Sequence, residues 1–212
     1  MFTAYNPGSE DRSLQAIIPL KIQGVVLWAY LDTGCGKNFI SREAIKKLNL
    51  KPKRHESRQF VTINGVYKQS MPRFEVRLDS LDNRASEQAE ITGSKMEDFT
   101  TVRRPTVKEL KTKYENARDK QFYLTANEEY PIHVIFGDST YCKLRTEQTL
   151  KGRPEDPIVE GTTFGWIIHG GEDYAGDKCM FVKEAAEYEK LYSLDVLGVE
   201  VRVEDDQSVA RV

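Results

Sequence analysis

The segment Val25-Val26-Leu27-Trp28-Ala29-Tyr30-Leu31-Asp32-Thr33-Gly34 is an apolar run of strand type that ends in a polar turn. A second apolar run, residues 14–22, precedes it, and only Gln23-Gly24 separate the two, so the spacing predicts a β-hairpin. Asp and Gly favour a turn after a strand, and glycine lets another backbone approach closely. After the turn, Phe39-Ile40 resume the apolar character. An Asp at such a strand end is a candidate catalytic carboxylate.

Asp32 suits one reaction in particular, the hydrolysis of an amide by two neighbouring carboxylates. The pair shares one proton: one carboxylate acts as base towards a water, and the other protonates the carbonyl and then the leaving amine. The sequence holds no second Asp-Thr-Gly or Asp-Ser-Gly, since Asp79-Ser80 continues to Leu81 and Asp138-Ser139 continues to Thr140. The second Asp32 would therefore come from a second chain, which predicts a symmetric homodimer.

Composition excludes several classes of protein. The 212 residues suit one domain with appendages, and 31 Lys and Arg against 33 Asp and Glu give a net charge of −2. We therefore expect no nucleic-acid or anionic-membrane partner. The sequence lacks an apolar run of about 18 residues and a basic start before an apolar stretch, so we expect neither a membrane span nor a secretory signal.

Cysteine and histidine usage predicts a reduced, intracellular setting without a metal or cofactor. The three cysteines, Cys35, Cys142 and Cys179, are odd in number and widely separated. The three histidines are equally scattered, so no metal-ligand spacing exists. No phosphate-binding or dinucleotide-binding motif is present.

Further elements follow from local signals. Ser41 is an N-cap for a helix over residues 42–48, and the runs 60–63 and 66–69 flank Asn64-Gly65, a strong hairpin signal. Residues 72–79 alternate as a half-buried strand with Pro72 at its start. These patterns indicate a β-rich first half.

The second half combines a charged stretch with further strands. Residues 84–130 read as a charged insertion, with a capping box at Thr106 that begins a helix through about residue 118. Strands are predicted over 131–136 and 162–169 and a helix over 183–192, followed by a polar tail.

Four segments of the chain occur in a distinctive order. They are Leu31-Asp32-Thr33-Gly34 with Phe39-Ile40, the apolar residues 132–137, residues 157–163, and Phe164-Gly165-Trp166-Ile167-Ile168-His169-Gly170. Together they resemble the retropepsin-like aspartic peptidases, specifically the peptidase domain of Pao/BEL-type retrotransposon polyproteins. The resemblance implies a mainly β, closed barrel of the acid-protease type with a charged, partly helical insertion. It implies a peptidase domain over residues 14–182, an extension over 1–13, and a helix and polar tail over 183–212 that lead towards a reverse transcriptase.

The resemblance also implies a function and its residues. The chain would be an aspartic endopeptidase that cuts its own polyprotein as a homodimer, in the cytoplasm or in virus-like particles. Asp32 would be the catalytic carboxylate, Thr33 would hydrogen-bond across the dimer axis, and Gly34 would present its backbone to substrate. The Asn64-Gly65 hairpin would be the flap that closes over the peptide. Val196-Leu197 in the tail is a candidate self-processing point.

A second signature of the resembled family falls on residues 134–137, an apolar strand behind the catalytic loop, with Ile135 inside it and Gly137 opening the next helix. Two positions depart from the family pattern. Cys35 replaces the usual Ser or Ala. A thiol is a poor hydrogen-bond donor to the carboxylate, so we expect a shifted pH optimum, and we also expect oxidation of Cys35 to inhibit. Lys37 follows the catalytic loop and Asp138 follows Gly137, so the charges at these two positions are the reverse of the family pattern. This leads to the hypothesis of a Lys37–Asp138 ion pair.

Two other interpretations stay open. The chain could be a degenerate module that dimerises or binds peptides without cutting them, and Cys35 leaves room for this. Residues 134–139 also resemble the nucleophile block of GDSL-type serine esterases. That chemistry needs a histidine to activate Ser139, and the only downstream one, His169, lacks the Asp three residues before it. Ser139 is more simply the N-cap of a short helix.

Overall fold

The computed structural model describes residues 14–62, 65–124 and 129–171. The strands are β1 (Ile17–Ile22), β2 (Val25–Asp32), β3 (Phe39–Ile40), β4 (Arg54–Thr62), β5 (Gly65–Asp79), β6 (Ser86–Gly93), β7 (Thr100–Arg103), β8 (Glu129–Gly137), β9 (Arg145–Leu150), β10 (Ile158–Thr162) and β11 (Gly165–His169). The helices are α1 (Arg42–Lys47), α2 (Val107–Lys113) and α3 (Asp138–Leu144), with a 3₁₀ turn over Glu115–Ala117.

Six of these strands close into a barrel. Their order is β1-β2-β8-β3-β6-β5, and β5 returns to β1 through the pairs Lys21–Asp79 and Ile22–Leu78. β4 pairs with the first part of β5, from Gly65 to Arg73, and β7 pairs with β8. β9, β10 and β11 form a separate antiparallel sheet. The prediction of a mainly β fold with a closed barrel of the acid-protease type is confirmed.

Strand β2 fills the barrel with one face and carries Asp32 on the other. Successive side chains of a strand point to opposite faces. Accordingly Leu27, Ala29 and Leu31 are buried in the main core, while Tyr30 and Asp32 are half-buried. The two-residue turn at Gln23 and Gly24, both with positive φ, joins β1 to β2 as predicted.

Strand β8 runs between the two segments that flank the Asp-Thr-Gly turn. It pairs in parallel with β2, where Asp32 lies opposite Gly137, and antiparallel with β3, where Phe39 lies opposite Ile135. The chain therefore leaves β2 at Asp32, passes around the end of β8, and returns on its other side as β3. This crossing places the turn over the end of β8.

Two of the three predicted helix N-caps are present. Ser41 accepts a hydrogen bond from the Ala44 amide and begins α1. Thr106 and Glu109 form the complete capping box of α2. A local side-chain pattern was enough to place these two helix starts.

Four elements differ from the sequence prediction. Helix α2 ends at Lys113, and a 3₁₀ turn over Glu115–Ala117 follows in place of a helix through about residue 118. Pro72 lies inside the 15-residue strand β5, just beyond the ladder with β6, which begins at Arg73. Residues 158–169 form the hairpin β10–β11 in place of one strand over 162–169, because Gly165 at a φ of 126° allows the turn. The N-cap of α3 is Gly137, so Ser139 lies inside the helix.

The charged segment 84–130 supplies part of the sheet as well as helix α2. Its strand β6 pairs with β5 and β3, and Ile91 is buried in the main core. Its strand β7 pairs with β8, and Val102 is buried. Most of its described charged residues are exposed, so composition alone made the segment resemble an appendage.

A second core joins α2 to the β9–β10–β11 sheet. Leu110, Ala117 and Phe122 pack there against Val159 and Ile168. Leu14 and Gly170 form a bridge on the outer edge of β11. The predicted helix over 183–192, the tail, Cys179 and Val196-Leu197 lie outside the described residues.

Candidate active site

The turn after β2 orients one oxygen of the Asp32 carboxylate. The Gly34 amide donates to Asp32 Oδ1 at 2.8 Å, and the Cys35 amide donates to the Asp32 carbonyl at 3.1 Å. Within the described part of the chain, Oδ2 of Asp32 accepts no hydrogen bond. One oxygen is thus held by the backbone, and the other accepts no hydrogen bond from the residues that the structure describes.

Thr33 and Gly34 project from this turn into solvent. Both residues are exposed, and the Thr33 hydroxyl makes no hydrogen bond to any residue that the structure describes. An exposed hydroxyl thus lies beside a half-buried carboxylate at this turn.

Gly137 forms the surface on which the turn rests. A Cβ at this position would lie 2.5 Å from Cys35 O, 2.6 Å from Lys37 N and 2.7 Å from Lys37 O, all of them backbone atoms. The Asp138 amide at the start of α3 also donates to Cys35 O at 2.8 Å. The turn therefore packs directly on the backbone of Gly137, which explains why a glycine occupies this position.

Asn38 is a contact residue that the sequence analysis did not identify. Its side chain is almost fully buried and accepts from the Gly137 amide at 3.1 Å through Oδ1. Its Nδ2 donates to the Glu90 carbonyl at 3.0 Å. A buried asparagine six residues after Asp32 carries little local signal, because its partners are distant in the sequence.

The ion pair hypothesised between Lys37 and Asp138 is not among the salt bridges of the described residues. The two segments are joined by the backbone hydrogen bond from Asp138 to Cys35 O. Asp138 Oδ1 accepts from Cys142 Sγ at 3.6 Å, on the next turn of α3. The backbone hydrogen bond therefore orients the two segments, a role that the sequence predicted for the charges of Lys37 and Asp138.

The thiol of Cys35 faces the turn's own backbone. Sγ donates to Lys37 O at 3.1 Å, so it gives no hydrogen bond to Asp32. Burial raises the pKa of this thiol. Burial and the nearby Asp32 charge raise the pKa of Tyr30, which shares the face of β2 with Asp32, to about 12. Both groups therefore stay neutral at mildly acidic pH.

The predicted flap corresponds to the β4–β5 hairpin. The register pairs Thr62 with Gly65, so Gly65 belongs to strand β5. Asn64 lies outside the described residues. Ile135, of the second signature, lies in β8 opposite Tyr30 of β2 and Phe39 of β3.

The residues that an esterase would need are apart. Ser139 is an exposed residue in the first turn of α3. His169 lies on β11 with Nε2 3.0 Å from Glu160 Oε2, and no Ser139–His169 hydrogen bond occurs within the described ranges. The arrangement does not support a serine nucleophile.

A buried carboxylate organises the end of the C-terminal sheet, and we term Glu160, Tyr141, Arg145 and His169 the Glu160 cluster. Glu160 accepts from the Tyr141 hydroxyl and pairs with Arg145 Nε at 2.5 Å and with His169. Burial alone would raise the pKa of Glu160, but these hydrogen bonds and charges lower it below its usual value. The cluster joins α3 to the sheet.

Among the residues that the structure describes, no three His, Cys, Asp or Glu side chains are grouped so as to hold a metal ion. No helix within the same ranges is long and apolar enough to cross a membrane.

Comparison with known proteins shows what the region around Asp32 is similar to. Residues 18–85 match the family model described as Aspartyl protease. This part of the chain is aspartyl-protease-like. The match covers the Asp-Thr-Gly turn and the whole β4–β5 hairpin, and it ends before β8. A solved structure, the retroviral protease-like domain of Ddi1 from Leishmania major, is similar at 10% identity, with a TM-score of 0.34, covering 81% of this chain and 96% of that chain. No curated protein matches the sequence.

Proposed function

We propose that this protein is an aspartic endopeptidase that acts as a homodimer, with one Asp32 from each chain. The observation that carries the proposal is the Asp32 turn, in which the Gly34 amide fixes one carboxylate oxygen and the other is unbonded within the described residues. The aspartyl protease match over residues 18–85 includes this turn.

The dimer follows from the chemistry of a carboxylate pair. Two carboxylates that share one proton supply a base and an acid at the same time, whereas one carboxylate supplies only one of them. The chain has one Asp-Thr-Gly, and the exposed Thr33 beside it offers a hydroxyl to a second copy. Two Asp32 turns related by a twofold axis would complete the site.

The substrate in this proposal is a retrotransposon polyprotein that contains the domain itself. The order of the four sequence segments supports this origin. Val196-Leu197 is then a candidate cleavage point, and incubation at mildly acidic pH should shorten wild-type protein but not Asp32→Asn protein. Equal shortening of the two proteins would contradict self-processing.

Peptide cleavage tests the proposed activity. Purified wild-type protein should cut members of a peptide library at mildly acidic pH, and pepstatin, a peptide inhibitor of aspartic peptidases, should block the cutting. Asp32→Asn should abolish it, because the amide can neither ionise nor act as the base. Ser139→Ala should leave it unchanged, and its loss in that variant would favour the esterase.

A non-catalytic module is the second candidate, and the Cys35 thiol is the observation that favours it. Since Sγ donates to Lys37 O, Asp32 lacks a side-chain hydrogen bond from this position. A wild-type dimer that binds peptides but cuts none of them, with Asp32→Asn binding equally well, would establish this alternative.

A further inference from the structure

Asn38 occupies the point where three backbone segments of the candidate site meet. Its own segment joins the Asp32 turn to β3, Gly137 ends β8, and Glu90 lies in β6. Only 8% of Asn38 is exposed. A polar side chain at this depth requires partners, because an unpaired buried amide costs about 1–3 kcal/mol.

The carboxamide of Asn38 acts as an additional peptide group between β8 and β6. Oδ1 accepts from the Gly137 amide at 3.1 Å, and Nδ2 donates to the Glu90 carbonyl at 3.0 Å. Its backbone carbonyl accepts from the Thr92 amide at 2.9 Å. The hydrogen-bond donor and acceptor of the side chain are therefore both used, the donor on β6 and the acceptor on β8.

The Gly137 end of this connection is also the surface that supports the Asp32 turn. Cys35 O and Lys37 lie against Gly137 so closely that no Cβ fits between them. A shift of Gly137 relative to β6 would therefore move the turn. Asn38 is the side chain that ties these two strands together at this point.

We propose that Asn38 is a positioning residue for Asp32: its amide anchors the Asp32 turn to β8 and β6, so that the carboxylate is correctly placed for catalysis. This inference rests on the proposed peptidase function. Asn38 does not touch the reacting atoms, and its loss should lower kcat more than it changes KM. A misplacement near 1 Å can lower a rate by about 100-fold.

Asn38→Leu removes both hydrogen bonds while keeping the branching and the number of heavy atoms of the side chain. We expect kcat to fall at least about ten-fold with KM within about two-fold, at a temperature where the variant is folded. The control is Asn116→Leu, because Asn116 Nδ2 also donates to backbone carbonyls, those of Leu150 and Pro157, but in the second core. That variant should keep kcat within about two-fold of wild type.

Asn38→Asp supplies a pH readout that a merely structural role would not give. A neutral carboxylic acid offers one donor and one acceptor, as the amide does, whereas a carboxylate offers acceptors only. The kcat of this variant relative to wild type should therefore rise as pH falls from 7 to 4. The charged side chains on the surrounding elements are Asp32 and Lys37 on its own segment, Glu90 and Arg73 on β6 and β5, and Asp138 on α3.

Amide hydrogen exchange tests the anchor without reference to activity. Asn38→Leu should speed exchange of the Gly137 amide at least about ten-fold beyond the change in global stability, and Asn116→Leu should not. Unchanged exchange at Gly137, unchanged kcat, or an equal fall of kcat in Asn116→Leu would overturn the proposal. Should Asn38→Leu not fold, a pH-independent activity ratio for Asn38→Asp would overturn it.

The two proposals fail in different ways. A wild-type protein that cuts no peptide would refute the proposed function. Asn38 would then be judged by exchange at Gly137 alone, where faster exchange in Asn38→Leu supports the anchor and unchanged exchange refutes it.

Discussion

Gly137→Ala should displace the Asp32 turn through one added methyl group. The new Cβ would lie 2.5 Å from Cys35 O and 2.6 Å from Lys37 N, whereas ordinary contact begins at 3.4 Å. The turn must therefore move by about 0.9 Å, since the opposing atoms are backbone and cannot rotate away. The φ of Gly137 is −76°, which alanine adopts without strain, so the effect is purely steric.

The expected cost follows from this crowding. Overpacking of a tight site destabilises the folded state by about 1–3 kcal/mol. Replacing glycine by alanine also reduces the conformational entropy of the unfolded chain, which stabilises the protein by about 0.4–1 kcal/mol. We therefore expect a net loss of about 1–2 kcal/mol in the free energy of unfolding. A shift of this size at Asp32 should also lower kcat/KM about 100-fold.

Urea denaturation and peptide cleavage measure the two effects. Gly36→Ala is the matched control for stability, because a Cβ there meets nothing within 4 Å. It should be neutral or stabilising by up to about 1 kcal/mol. If Gly137→Ala had wild-type stability and wild-type kcat/KM, the turn would not rest on Gly137 as described.

Three further predictions concern the rest of the molecule. Glu160→Gln should lower the free energy of unfolding by about 1–3 kcal/mol at pH 7. Because the folded-state pKa of Glu160 is lowered, its contribution to stability disappears on protonation, and the deficit of the variant should shrink below about pH 4.5. A constant deficit in urea denaturation from pH 7 to 3 would contradict this. The guanidinium of Arg104 is buried and donates to the Gln15 and Ile168 carbonyls. Arg104→Met should therefore lower the free energy of unfolding by about 2–4 kcal/mol, and the exposed control Arg103→Met by less than about 0.5 kcal/mol. Equal thermal shifts for the two variants would refute the difference. Iodoacetamide at pH 8 should label exposed Cys142 before Cys35, whose thiol pKa is raised by burial; peptide mass spectrometry showing Cys35 labelled first would contradict it.

Local sequence signals predicted those features that few neighbouring residues determine. The turn at Gln23-Gly24, the Ser41 cap and the Thr106 capping box each depend on residues within four positions of one another. The Asp-Thr-Gly turn after an apolar strand is of the same kind. Such features are visible in one sequence because their physical causes are adjacent in it.

Features that depend on distant partners could not be predicted in the same way. Asn38 and Gly137 are 99 residues apart, and nothing local to Asn38 marks it as an anchor. The many exposed charges of segment 84–130 concealed strand β6, which buries Ile91 in the main core. The reversed charges of Lys37 and Asp138 predict an ion pair by analogy with the resembled family, but the two segments meet through backbone atoms.

The central claim is that one Asp32 from each of two chains forms the catalytic pair, and mixing chains tests it most directly. Wild-type and Asp32→Asn proteins would be mixed in equal amounts, allowed to exchange subunits, and assayed for peptide cleavage at constant total protein. Random pairing leaves about one quarter of the dimers with two Asp32 residues, so activity should fall to about one quarter of the undiluted wild-type value. A fall to only about one half would mean that each chain cuts on its own and would contradict the account.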